Sequence, residues 1–134
     1  MSDDQGNVVA EFVGVIVGLM IPVMFIASSC VTFVNTELTL RNASESMARA
    51  YAVSTSSSIG AKRAQAILRA TLASQAIKVS GVKSRLTCSE SPCLSAGGTV
   101  TYTLSRKVTS TFPGIGRRTM TLTQAHTATV DDIR

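Results

Sequence analysis

The stretch GNVVAEFVGVIVGLMIPVMFIASSCVTFVN, residues Gly6 to Asn35, decides the fold of this 134-residue chain. It contains one charged residue, Glu11, and the segment from Phe12 to Thr36 contains none. As an α-helix, those 25 residues would extend roughly 37 Å, which exceeds the ~30 Å hydrocarbon core of a bilayer. The sequence therefore predicts a membrane-spanning helix to which the rest of the chain is attached.

A cleaved secretory signal is the alternative interpretation of an apolar run near the N-terminus. Signal peptides place Lys or Arg before an apolar segment of about 7–15 residues and end at a small-residue cleavage site. Here Asp3 and Asp4 precede the run, and the run is longer than such a segment. The pattern favours an anchor over a secretory signal.

The residues before the apolar run carry a family resemblance. Gly6 is followed by NVVAEF, so Glu11 stands fifth after a glycine at the start of the span. This arrangement resembles a type IV prepilin. The G-x-x-x-x-E-F start, a short helix-plus-strand domain and a late cysteine pair resemble, more narrowly, the TadE-like minor pseudopilins of tight-adherence (Tad) pili. The resemblance covers the first fifty residues well and the remainder only in pattern.

The resemblance implies a subunit that is processed and then assembled. A prepilin peptidase would cut after Gly6, Asn7 would become the new N-terminus, and Glu11 would pair with the N-terminus of a neighbouring subunit. The implied partners are other pilin or pseudopilin subunits, the peptidase, the pilus assembly platform and membrane lipid. The implied parts are a leader at residues 1–6, a transmembrane and assembly helix at 7–36, and an extracytoplasmic α+β domain at 37–134.

The cost of placing a charge in a membrane is a second argument for an assembly role of Glu11. Intramembrane ionisable groups are costly and usually have a partner. The alternative is that an acid in the first turn of a helix gains about 0.3–1 kcal/mol from the helix dipole and has no other role. The spacing from Gly6 favours the assembly role.

Orientation follows from weaker signals. The positive-inside rule would keep the basic C-terminal part in the cytoplasm, but long domains cross regardless of charge. We therefore expect a single pass through the cytoplasmic membrane, with the N-terminus inside and the domain outside.

Three residues of the span have the composition of a helix-packing surface. Gly14 and Gly18 form a small-xxx-small pair, which lets membrane helices approach closely, although glycine is also common in such helices. Pro22 removes one backbone hydrogen bond and predicts a kink. Cys30 lies inside the apolar run, where we expect it to pack as a small hydrophobe.

Beyond Asn35 the helix is predicted to continue as an amphipathic segment with an apolar stripe at Leu40, Ala43, Met47, Ala50 and Tyr51. A polar break, STSSS, offers Ser57 or Ser58 as the N-cap of a second helix at Ala61–Ile77. One face of that helix carries Ala64, Leu68, Leu72 and Ala76, and we expect its end near Gly81.

Three strand-like segments rich in Thr and Val follow, and the second alternates most clearly: Val82–Cys88, Thr99–Thr109 and Arg118–Val130. Cys88 and Cys93 flank the turn-forming run SESP, so we predict a local disulfide, which belongs in an oxidising compartment. Free or metal-bound thiols are the alternative, but a metal site needs further ligands and the single histidine, His126, is distant in sequence. The fold class is thus α+β: a long N-terminal transmembrane helix continuing as an amphipathic helix, a second helix and a three-stranded antiparallel sheet with one disulfide.

The catalytic groups and charges that the sequence carries limit the classes of function it can have. His126 has no second histidine or carboxylate pair beside it in the pattern, and no Gly-rich phosphate loop is present, so we expect neither an enzyme nor a cofactor or metal. Beyond Ala50, eleven Lys and Arg stand against three acids. Such a domain attracts DNA or other anions, but stacking aromatics are scarce, so we expect no nucleic-acid partner. The alternatives are an uncleaved, membrane-tethered interaction domain of a secretion or envelope complex, and a DNA-uptake pseudopilin.

Overall fold

The predicted fold class is confirmed in a computed structural model, which describes residues 4–112 and 114–131, with side chains for 8–111 and 114–131. The elements, in chain order, are α1 (Asp4–Ala52), α2 (Ser57–Ser74), a 3-10 turn (Val79–Gly81), β1 (Val82–Cys88), β2 (Thr99–Phe112) and β3 (Gly116–Thr129).

α1 is one continuous helix of 49 residues that passes through Pro22. Every side chain from Val8 to Ser28 is exposed. An 18-residue window in the helix has a mean hydropathy of 2.4 and no buried residue, so α1 is long and apolar enough to cross a membrane. The outward-facing apolar side chains have no partner within the described chain and need one outside it.

The C-terminal half of α1 is the centre of the folded domain, because it packs against α2, β2 and β3. Leu40, Ala43, Met47 and Tyr51 are buried as predicted. Ala50 is only half-buried, and the stripe is instead widened by Ser44, Ala48 and Ala52. Beyond Leu40, the buried side chains form adjacent pairs that recur every four residues: Ala43 and Ser44, Met47 and Ala48, Tyr51 and Ala52. The buried surface is this wide because this half of α1 contacts both the sheet and α2.

α2 is shifted toward the N-terminus relative to its predicted range, Ala61–Ile77. Ser56 is the N-cap, and its side chain accepts a hydrogen bond from the backbone N–H of Ile59, so the predicted cap at Ser57 or Ser58 was wrong. Ala64, Leu68 and Leu72 are buried as predicted.

The end of α2 corrects the sequence prediction. Ala76 lies outside the helix, exposed, with a φ of 54°. The N–H of Ile77 donates to Leu72 O at 2.9 Å and the N–H of Ala76 to Ala73 O at 3.1 Å. This is the hydrogen-bond pattern of a Schellman motif, which closes a helix with a left-handed residue, here alanine in place of the usual glycine. The chain therefore leaves the helix before Gly81.

The sheet is an antiparallel meander in the order β1-β2-β3. β1 was predicted residue for residue, whereas β2 and β3 run longer toward their shared turn than predicted. Val82, the first residue of β1, pairs with Arg106, so β2 beyond Arg106 pairs only with β3 among the described strands. Residues 107–112 and 116–121 therefore form a two-stranded extension, which we call the hairpin extension.

The predicted disulfide is confirmed. Cys88 and Cys93 are bonded across the β1–β2 connection, with Cα atoms 5.2 Å apart. Cys88 pairs with Val100 at the end of the sheet opposite the hairpin extension. The same connection is held to the sheet where the N–H of Thr99 donates to Ser89 Oγ at 2.8 Å.

Candidate membrane and assembly interface

The predicted processing residues lie at the start of α1. Gly6 and Asn7 belong to its first turns, since the helix begins at Asp4. The side chain of Asn7 lies outside the described side chains. Glu11 follows Asn7 by four residues, which is about one helical turn, so the backbone N of Asn7 and the carboxylate lie on the same side of α1.

Glu11 is exposed and has no cationic side chain nearby on its own helix. The first Lys or Arg in the chain is Arg41. Thirty residues of helix separate the two, or about 45 Å. A countercharge for Glu11 inside a membrane or a filament must therefore come from an amino terminus or from another molecule.

Gly14, Gly18 and Pro22 follow one another at intervals of four residues, so they share one face of α1. A Cβ atom added at Gly14 or Gly18 would have no neighbour within 4 Å. Pro22 lacks the N–H that would donate to the Gly18 carbonyl in a regular helix. This face therefore presents bare backbone, which a second helix can approach closely.

An open apolar groove of about 320 Å³ separates α1 from the hairpin extension. Its walls include Cys30, Phe33 and Val34 from α1, and Val108 and Met120 from the hairpin extension. Among the described residues that line it, Arg118 is the one charged side chain. Cys30 thus lines a groove and is not enclosed by the chain.

Sequence reasoning missed this groove because it ended the second strand at Thr109. Alternation gave no signal, since Thr109, Ser110 and Thr111 are all polar, but the strand-favouring residues Thr111 and Phe112 could have indicated a longer strand. The strands actually pair as far as Phe112 and Gly116, which carries Ser110 and Arg118 to the level of Ser29 and Cys30 on α1.

The outward face of the sheet is rich in hydroxyl groups and cations. The Oγ1 atoms of Thr101 and Thr127 lie 2.7 Å apart across β2 and β3, and those of Thr109 and Thr119 lie 3.0 Å apart. The three strands contain no Asp or Glu. The cations of this face are Lys83, Arg85, Lys107 and Arg117.

The inward face joins the hairpin to α1. Gln124 Nε2 donates to Glu37 Oε1 at 3.1 Å. His126, which pairs with Tyr102 across the strands, is half-buried on the same face. The part of the chain that the structure describes brings no three His, Cys, Asp or Glu side chains together.

The two tyrosines form an aromatic pair at the centre of the core. The ring centroids of Tyr51 and Tyr102 lie 5.9 Å apart with an edge-to-face geometry, which is a favourable arrangement of two rings. Burial, followed by the nearby Tyr51, raises the pKa of Tyr102 to about 12. The pair fixes the last turns of α1 against β2.

Comparison of the chain with protein-family models, curated proteins and solved structures finds no match. The functional argument therefore rests on the residues of this chain. Those residues place one carboxylate, Glu11, and a bare glycine face on the apolar half of α1, and a basic hairpin beside the same helix.

Proposed function

We propose that this protein is a non-enzymatic minor pseudopilin of a Tad-type pilus, anchored by α1 in the cytoplasmic membrane. One observation carries the proposal: a single helix is apolar with only exposed side chains from Val8 to Ser28, and is the core of a small domain in its C-terminal half. Glu11 is the only charge in the exposed half from Val8 to Ser28. A subunit that passes from a membrane into a filament needs an apolar helix for lipid or helix contacts and a folded domain attached to it.

Cleavage after Gly6 would create a positively charged amine, the kind of partner that the Glu11 carboxylate lacks. The new amine of Asn7 would be a positive charge at the same depth as the carboxylates of neighbouring subunits. A charge within an apolar environment is strongly favoured to find a partner. The Glu11 carboxylate would therefore neutralise the N-terminus of an adjacent subunit and set the axial register between them.

The glycine face would supply the helix contact. Gly14 and Gly18 leave room for a neighbouring backbone, and no other part of the described chain approaches them. The carbonyl that Pro22 leaves without its helical donor lies on the same face. Close packing there would allow van der Waals contact along the assembled helices.

The folded domain would lie outside the cytoplasm, where it could cap or initiate a filament. The Cys88–Cys93 disulfide supports this location, because structural disulfides persist in oxidising compartments. The domain continues directly from α1 without a linker, so a rotation of the anchor would be transmitted to it.

The assembly role predicts that Glu11→Gln sharply reduces incorporation into filaments in cells that contain the matching pilus system. Leaving a buried charge unpaired costs about 3–5 kcal/mol, so we expect a loss of more than roughly tenfold. The measurement is the amount of this protein in sheared filaments, relative to the amount in membranes.

Glu45→Gln is the matched control, because Glu45 is on the same helix but pairs with Arg49 at the surface, at 2.7 Å. That exposed pair contributes little. Equal incorporation of Glu11→Gln and Glu45→Gln would remove the assembly role from Glu11.

Two other functions remain as alternatives. An uncleaved, membrane-tethered interaction domain would keep residues 1–6 and would not depend on Glu11. A DNA-uptake pseudopilin is favoured by the acid-free outer face of the sheet with Lys83 and Arg85. That function requires DNA binding that weakens steeply with salt and is reduced when these two cations are neutralised.

A further inference from the structure

We infer that the hairpin extension is a second membrane contact. Its turn enters the outer part of the hydrocarbon layer on the domain's side of the bilayer, and Arg117 and Arg118, next to the turn, bind the phosphate groups of anionic phospholipids. The inference rests on the membrane anchoring of α1 in the proposed function. It adds a lipid-binding surface to the folded domain.

Three contacts fix the position of the hairpin along α1. Tyr102 packs on Tyr51, with ring centroids 5.9 Å apart. Further along the hairpin, Gln124, the cross-strand partner of Leu104, bonds to Glu37. Further still, the pair Ser110 and Arg118 lines one groove with Ser29 and Cys30. The hairpin therefore descends along α1 toward its apolar N-terminal half.

The descent carries the turn alongside the apolar run. The charge-free segment extends to Thr36, yet Ser110 and Arg118 already lie level with Ser29. The turn is two to four residues further on, or about 7–13 Å at the rise of a β-strand. A bilayer core needs about 20 helical residues, and such a span starting at Val8 would end at Ala27. Since Ser29 is about 3 Å beyond Ala27, the turn lies about 4–10 Å inside the hydrocarbon edge, while Arg118, level with Ser29, stays at the headgroups.

The side chains around the turn match that location. Ile115 is 66% exposed and Met120 is 58% exposed. Between them stand Arg117 and Arg118, and the hairpin strands contain no acid. Apolar side chains flanked by cations are typical of segments that sit at the boundary between headgroups and acyl chains. An arginine there can form paired hydrogen bonds to a phosphate.

The groove itself does not hold the acyl chain of a lipid bound at Arg118. Its apolar walls, Phe33 and Val34 on α1 and Val108 and Met120 on the hairpin extension, lie further toward the folded domain than Arg118 does. The acyl chains of such a lipid contact the turn at Ile115 instead. The occupant is an anionic phospholipid, because Arg117 and Arg118 stand next to the turn and the hairpin strands contain no acid.

The depth of the hairpin is limited by its backbone. Beyond Arg106, the outer edge of β2 has no paired strand in the described chain. Unpaired backbone groups are costly in hydrocarbon, where water is absent. Only the turn should therefore enter the outer hydrocarbon layer, and the hairpin extension should not reach the centre of the bilayer.

The chain contains no tryptophan, so one introduced tryptophan reports its own depth. We would reconstitute full-length Ile115→Trp into phosphatidylcholine vesicles containing phosphatidylglycerol, with and without bromine on the acyl chains. The brominated lipid should quench the fluorescence of Ile115→Trp strongly. Neutralising Arg117 and Arg118 to Gln in that variant should reduce the quenching, and the matched pair Arg63→Gln and Arg69→Gln, which lies exposed on α2, should not.

Two further tryptophan variants make the outcome decisive. Val53→Trp is 69% exposed beyond α1, about 35 Å from the groove along the helix, and should not be quenched. Leu19→Trp lies in the proposed span and should be quenched. Quenching of Leu19→Trp with none of Ile115→Trp would overturn the hairpin contact and leave the anchor intact. Absence of quenching in both would overturn the anchor as well.

Discussion

Gly60 is a residue at which α2 lies directly against a side chain of α1. A Cβ atom placed there would lie 2.8 Å from Tyr51 Cδ2 and 3.2 Å from Tyr51 Cε2. Since Tyr51 also packs against Tyr102, its ring cannot move without disturbing the core. The absence of a side chain at Gly60 thus sets the distance between α1 and α2.

Gly60→Ala should therefore destabilise the folded domain by about 1–3 kcal/mol, the usual cost of overpacking. Helix propensity alone would favour alanine by about 1 kcal/mol, so the sign of the effect identifies the cause. Thermal unfolding in detergent, followed by circular dichroism, measures it. Gly18→Ala is the control, because its added Cβ meets nothing. A Gly60→Ala protein as stable as Gly18→Ala would contradict the packing argument.

The raised pKa of Tyr102 predicts that the folded domain loses stability at alkaline pH. Its folded-state pKa of about 12 exceeds the ordinary tyrosine value of 10.0. The stabilising contribution is therefore complete below pH 10 and is lost as the pH rises from 10 to 12, amounting to about 3 kcal/mol at most. Titrating tyrosinate absorbance in Tyr51→Phe, where Tyr102 is the remaining tyrosine, should give a midpoint above 10 while the protein is folded. A midpoint at 10 would contradict the burial of its hydroxyl.

At the scale of elements, the β1–β2 connection is held by its disulfide. Replacing Cys88 and Cys93 by Ser releases a closed loop of about six residues, for which chain entropy predicts a loss of about 2 kcal/mol. For a domain of this size the melting temperature should fall by roughly 10 °C. Cys30→Ser should leave the melting temperature unchanged, because that thiol is exposed and unbonded. Equal melting temperatures for all three proteins would show that the loop is held by its other contacts alone.

The elements differ in how far the sequence predicts them. The apolar half of α1, the stripe at Leu40 and Met47, and the bounds of β1 follow from local pattern, and the structure agrees. The end of α2 does not, because Ala76 fits the helical face but the packing of Ile77 on the core favours a left-handed residue before it. Tertiary contact overrides local propensity there.

The hairpin extension is the other element that local pattern underestimates. Pro and Gly residues between Phe112 and Gly116 indicate a turn but not how close to it the strands stay paired. The groove next to α1 arises only when two segments about eighty residues apart in sequence meet. Composition could suggest a basic domain, whereas the alignment of Arg118 with Cys30 required the three-dimensional register.

At the scale of the whole molecule, the distribution of apolar surface is the main constraint. Large apolar side chains are exposed almost continuously from Val8 to Phe25, with exposed fractions between 43% and 66%. Soluble monomers rarely expose apolar patches larger than a few hundred Å². This apolar surface must therefore be covered by a bilayer or by neighbouring helices. In the proposed pseudopilin role, the bilayer covers it before assembly and neighbouring helices cover it in the filament.

The N-terminal mass of the protein tests that central claim most directly. It would be measured on protein from membranes that also contain the matching prepilin peptidase, for the wild type and for Gly6→Ala. The account predicts a wild-type terminus at Asn7, and a Gly6→Ala protein that keeps residues 1–6. An intact leader on the wild-type protein would contradict the pseudopilin proposal and leave an uncleaved, membrane-tethered domain.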